Sequence, residues 1–247
     1  MVRRTKEEAL ATRHRLLDAA ELLFQTQGVS QTSLQQIASK AGATRGAIYW
    51  HFKDKADLFN AMMERVKMPL ETFTRTIDVR GQDPLQVIEA SLCNALGLMI
   101  SNPQVHRVFD VAIHKVEYAG EMLKVRERHL ASRDACVVDF QRALRLAARR
   151  GRIRLPVPAA IAAQGLHALV SGVIQNWLLD PKAFDLVAVG RRSFNVYLSG
   201  LGFERTGVRP GIATGTSASP PPPAREPESP PAHRPHDRLA TSAPDRR

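Results

Sequence analysis

Arg45, Tyr49, Trp50, His51 and Lys55 bring a guanidinium, a phenol, an indole, an imidazole and an ammonium into one short stretch of chain. These groups donate hydrogen bonds, and three of them also offer ring faces. They suit phosphate oxygens, base edges and thymine methyls. Arg45 is placed to reach a guanine edge with a two-pronged hydrogen bond. Thr44 ahead of it supplies a hydroxyl, and Gly46 behind it leaves room for another backbone to approach. Tyr49, Trp50 and His51 reach phosphates or sugars. Lys55, with the free N–H groups of a helix start beside it, makes an anion site for a further phosphate. Phe52 reads differently, as a core residue, and Trp50 as divided between core and DNA face.

Such groups need a rigid presenter, and residues 33–51 spell one. Leu34, Ile37, Ala38 and Ala41 recur at helical spacing, Gly42 supplies a left-handed stop, and Thr44 caps the next helix. A braced first helix, a glycine turn and a second helix with little apolar surface make a helix-turn-helix reader. Thr32-Ser-Leu-Gln35 reads as a capping box opening the first of these two helices. Thr32 and Ser33 thereby join the DNA-facing set.

The rest of the chain up to residue 203 also carries helical period, with no sustained alternation, so the fold class is all-α. Thr5-Lys-Glu-Glu8 opens the first helix, with Leu10, Leu16, Leu17, Ala20, Leu23 and Phe24 as its apolar face and Gly28 as its stop. Asp54 caps a fourth helix, whose stripe runs from Leu58 to Phe73 across a kink at Pro69. Asp83-Pro84 and Asn102-Pro103 each pair a cap with proline at the first helical position. A seventh helix spans about 121–150. An eighth, about 158–179, is apolar nearly all round and so buried on two sides. Asp185 opens a ninth. Ten of the 16 prolines fall between 210 and 247, a composition that predicts a disordered tail. The domains are thus 1–53, 54–203 with 54–68 as a connecting helix, and the tail 204–247.

Net charge is +11, spread as +4 over 1–68, +5 over 69–203 and +2 beyond, so charge alone does not single out a DNA face. No apolar run approaches the roughly 20 residues of a membrane span. The N-terminus lacks the apolar stretch of a signal peptide, which predicts a cytoplasmic protein. Cys93 and Cys136 read as buried free thiols. No nucleophile elbow, phosphate loop or cofactor fingerprint occurs, so neither an enzyme nor a cofactor is expected. His114 and Glu117 share a helix face, but a lone pair does not make a metal site. The arginines from Arg142 to Arg154 read as a solvated helix end.

The stretch Thr44-Arg-Gly-Ala-Ile-Tyr-Trp-His-Phe-Lys-Asp-Lys-Ala-Asp-Leu58 resembles the signature of the TetR family, in its AcrR/TtgR-like branch. Arg3-Arg-Thr-Lys-Glu-Glu-Ala9, His114-Lys-Val-Glu-Tyr118, the segment from Gly172 to Asp180, and Phe184-Asp-Leu186 are similar to that branch too. The resemblance covers about residues 1–203 and leaves out the proline-rich tail. It implies nine helices and a homodimer through the eighth and ninth. It also implies a pseudo-palindromic double-stranded operator, typically of an RND-type multidrug efflux operon, and release by a hydrophobic drug-like effector that moves helix 6 and then helix 4. Control of a biosynthetic or degradative operon through a different small molecule is the alternative it leaves open. Carried onto this chain, the branch's ligand-contact positions are Val66, Leu92, Leu96, Asp110, His114, Cys136, Val137, Phe140, Leu166, His167, Val170, Val173, Ile174 and Trp177. That set describes an apolar pocket with a few polar groups.

Overall fold

Nine α-helices follow one another with no strand among the described residues, which are 6–66 and 83–203 of a computed structural model. They are α1 Lys6–Gln27, α2 Leu34–Lys40, α3 Arg45–His51, α4 Lys55–Arg65, α5 Pro84–Ser101, α6 Pro103–His114, α7 Leu123–Gly151, α8 Ala159–Leu179 and α9 Leu186–Gly200. A single 3-10 turn, Gly120–Met122, leads into α7. The expected stripe beyond residue 66, the Thr5 cap and the proline-rich tail lie outside the described residues.

Helix starts sit where the caps demand. The Asp54 carboxylate accepts from Asp57 N–H at 2.7 Å, and Asp57 in turn accepts from Lys53 N–H at 3.0 Å. Asn102 accepts from both Gln104 and Val105 N–H, and Asp83 and Asp185 do the same work for α5 and α9. The cap of α2 is one residue later than expected. Ser33, not Thr32, accepts from Gln36 N–H, and the Gln36 side chain returns the bond to Ser33 N–H at 2.8 Å. Thr32 is excluded because its hydroxyl is buried and donates to Gly28 O at 2.7 Å.

The reader's core is Leu16, Leu17, Ala20 and Phe24 of α1, closed by Ile37, Ile48, Phe52, Leu58, Phe59 and Met62. Phe24 and Phe59 meet with ring centroids 6.1 Å apart, and the Arg13 guanidinium lies 5.1 Å from the centroid of the Phe52 ring. Leu10 is not on this face; it is 56% exposed. The remaining helices bury Leu92, Leu96, Val108, Phe140, Leu166, Ile174 and Phe194 in one continuous core with the reader.

Apolar surface is distributed differently on α5 and α8. α5 is 18 residues with a mean hydropathy of 1.2, long and apolar enough by composition to cross a membrane. Here it packs Leu85, Ile88, Leu92, Leu96 and Met99 inward. α8 is buried on one side only in the single chain: Ile161 is 60% exposed, and Val196 on α9 is exposed too. Beside Val196 runs an open groove of about 350 Å³ lined by Leu169, Arg192, Ser193 and Tyr197.

Candidate nucleic-acid interface and effector chamber

α3 is short, and Ile48 is its one fully buried residue. The rest of its surface therefore faces outward for a reason other than packing. Thr44 caps it by accepting from Ala47 N–H at 3.1 Å. That bond aims the helix N-terminus, with Arg45 and Gly46, into solvent. Gly42 holds φ +62° in the turn before it, a backbone state that glycine adopts without strain. A Cβ added at Gly46 would meet only the Thr44 hydroxyl, at 4.0 Å, so no internal packing demands a glycine there.

Tyr49 is 51% exposed and Trp50 73% exposed, so Trp50 is not shared with the core. The Arg45 guanidinium stacks 5.8 Å from the Tyr49 ring centroid. Trp50 meets His51 edge-on at 4.5 Å. Ser33, Thr44, Arg45, Gly46, Tyr49 and Trp50 are exposed, and half-buried His51 joins them at the end of α3. Exposed Lys53 in the following turn also lies close in sequence to this surface, a residue the motif reading passed over.

Thr32 and Lys55 are engaged within the chain. The Lys55 ammonium donates to Val29 O at 2.9 Å and Thr32 O at 3.1 Å, with Glu121 Oε1 at 4.0 Å. The Lys55 N–H at the start of α4 donates to Glu121 Oε2. Cation and helix start are thus both used internally. Lys55 braces the α1–α2 loop, and Thr32 is part of what it braces.

The fourteen expected effector residues lie on α5, α6, α7 and α8, with Val66 at the end of α4. Val66, Leu92, Leu96, Phe140, Leu166, Val170, Ile174 and Trp177 are buried; Asp110, His114, Cys136, Val137, His167 and Val173 are half-buried. Leu92, Leu96, Val170 and Val173 do converge, with Leu169 and Gly190, on a void of about 10 Å³. That is room for about one water, against roughly 300 Å³ or more for a drug-sized ligand. The other ten expected residues lie outside the lining of this void.

Polar groups among and beside the expected effector residues are arranged. His114 Nδ1 lies 3.1 Å from Asp110 Oδ1, and His114 Nε2 is buried with no hydrogen-bond partner. Burial pushes the Cys136 thiol up to about 11, helped by Asp139. Burial pulls His167 below the usual imidazole range, and Arg133 and His129 add to it. The His106 ring sits 5.3 Å from Trp177. Among the described residues no three His, Cys, Asp or Glu side chains gather as metal ligands.

Comparison with known proteins places this geometry. Residues 16–62 match the model described as bacterial regulatory proteins, tetR family, and residues 83–203 match that of the C-terminal region of MAATS-type transcriptional repressors. The chain is 38% identical over 201 residues to the HTH-type transcriptional repressor BepR of Brucella suis, covering 81% of this chain and 96% of that one. It is 36% identical to the transcriptional regulator TtgR of Pseudomonas putida, covering 76% and 90%. Among solved structures, NalD, the secondary repressor of the MexAB-OprM multidrug efflux pump in Pseudomonas aeruginosa, superposes with a TM-score of 0.73 at 34% identity, covering 79% and 98%. The SmeT–triclosan complex superposes at 0.68 and 29% identity, covering 87% and 100%.

Proposed function

From the premise that the chain belongs to the tetR family of bacterial regulatory proteins, we propose that it represses a multidrug efflux operon and is released by hydrophobic ligands. It is a transcriptional regulator and not an enzyme. The observation that carries the reading is α3, which buries only Ile48 and turns Arg45, Tyr49 and Trp50 to solvent. NalD and SmeT, each named as the repressor of a multidrug efflux pump, support the choice of operon.

In this reading residues 1–53 bind DNA in the cytoplasm, with Ser33, Thr44, Arg45, Gly46, Tyr49, Trp50 and His51 at the contact. Residues 54–203 hold the effector and the dimer interface. Exposed Ile161 and Val196, with the groove beside Val196, support pairing through α8 and α9. A dimer sets two copies of α3 about one DNA turn apart, roughly 34–36 Å, so a small change in their separation releases the operator.

An effector that releases the operator binds more tightly to a conformation other than the one that holds DNA. That difference in affinity between two states is what a releasing ligand requires. Triclosan, the ligand of the SmeT complex, is a suitable probe. Genomic fragments selected in vitro on the purified chain test the proposal. Recovery of a pseudo-palindrome beside an efflux operon, diminished by triclosan or another hydrophobic antibiotic, is expected. Enrichment of no common sequence refutes it.

A further inference from the structure

Glu21 sits on the apolar face of α1, one helical turn from Leu17, yet it is 2% exposed. Its carboxylate collects donors from two other helices. Arg65, the last residue of α4, donates to Oε1 at 2.9 Å and also reaches Asp18 at 2.7 Å. Gln104 of α6 donates to the same Oε1 at 2.9 Å. Arg107 of α6 approaches Oε2 only to 3.6 Å, and its buried Nε has no hydrogen-bond partner. One side of the carboxylate is saturated and the other is short of a bond.

A carboxylate that gathers donors from two other helices does more than fill space on α1. Burial raises the Glu21 carboxyl above the usual carboxylate range, against the pull of Gln104, Arg65 and Arg107. An acid raised in the fold holds its proton more tightly than in the unfolded chain. Stability therefore falls as pH climbs above about 4.5 and the group ionises. A buried charge that joins three helices fits a role in fixing how those helices move together. The far end of α6 is tied to the same unit, where Val29 N–H donates to Lys115 O at 2.9 Å. Val29 O in turn takes the Lys55 ammonium from the start of α4.

We propose that Glu21 is a positioning residue that links α6 to α4 through α1, so that a displacement of α6 reaches the base of the DNA reader. α6 also carries Asp110 and His114, and Val66 directly follows Arg65. The link thus names a route from effector chamber to α3. It deepens the repressor reading, but its test needs neither operator nor effector, so the two can fail separately.

The test is hydrogen exchange of the full chain, read by mass spectrometry on peptides spanning α4. Arg107→Gln lies on α6, and its effect on α4 passes through the Glu21 carboxylate. It speeds exchange of the α4 amides by about fivefold, within the range of measured coupling between sites. In a Glu21→Gln background the same change adds nothing at α4. Glu21→Gln itself keeps a cooperative thermal transition, because it removes a charge that ionises at a cost. Gln104→Met removes a second α6 donor, leaves the carboxylate intact and gives the same pattern as Arg107→Gln. Unchanged α4 exchange in both α6 variants overturns the proposal. So does an Arg107→Gln effect of equal size with and without the carboxylate.

Discussion

Replacing Lys55 by methionine separates a brace from a phosphate contact. The methionine keeps the apolar stem and deletes the ammonium that holds Val29 O at 2.9 Å and Thr32 O at 3.1 Å. A hydrogen bond from a charged donor contributes about 1.5–3 kcal/mol. The site is partly open to water, which replaces some of the loss, so the pair is worth about 2–3 kcal/mol. In a chain of this size 1 kcal/mol moves Tm by about 2–4 °C. Thermal unfolding followed by circular dichroism should therefore drop by about 4–12 °C. A salt series of operator binding by fluorescence anisotropy supplies the second readout. A lost phosphate contact lowers the slope of log K against log salt by about 1, or about 2 for a dimer. The brace predicts lower stability and an unchanged slope. Wild-type Tm with a slope reduced by about 2 refutes it, and returns Lys55 to the DNA face.

Arg45→Ala and Tyr49→Ala leave the melting temperature unchanged, since both side chains are exposed. Each weakens specific operator binding by about 1–3 kcal/mol per half-site, measurable by gel shift against a scrambled fragment. Gly165→Ala drives a methyl into the Tyr197 hydroxyl, which donates to Ala162 O at 2.8 Å. It costs about 1–3 kcal/mol in urea unfolding, and Tyr197→Phe in the same chain recovers part of the loss. Burial lowers His167 in the fold, so its share of stability is complete above about pH 6.5 and is lost as pH falls below it. His167→Leu should flatten that part of the pH–stability profile, followed by thermal melts from pH 5 to 8.

The reader was legible in sequence because its determinants are local. Gly42, Thr44, Ala38 and the Asp54 cap act within a turn or two of chain, and each sits where its chemistry requires. The roles of Thr32 and Lys55 were not legible, because they meet across 23 residues. A lysine at a helix start has the same spelling whether it holds a phosphate or a carbonyl. Periodicity put Leu10 on a buried face, but it cannot tell where a neighbouring helix stops covering that face. Glu21 did leave a signal, a carboxylate among Leu17, Ala20 and Phe24 at helical spacing. Its partners Arg65 and Gln104, on α4 and α6, did not. The chamber residues were named through resemblance. That Leu92, Leu96, Val170 and Val173 meet at a void of about 10 Å³ is a matter of packed volume, which no pattern of residue types contains.

The central claim is that one chain couples a DNA reader to a chamber for hydrophobic ligands. Its most direct test is the Kd of the chain for its selected operator fragment, measured with and without saturating triclosan in one buffer. Saturation is established independently by calorimetry, and other hydrophobic antibiotics are used if triclosan does not bind. A Kd at least about tenfold weaker is expected in the presence of a bound ligand, a coupling of about 1.4 kcal/mol or more. Equal operator affinity with every ligand shown to occupy the chamber contradicts it.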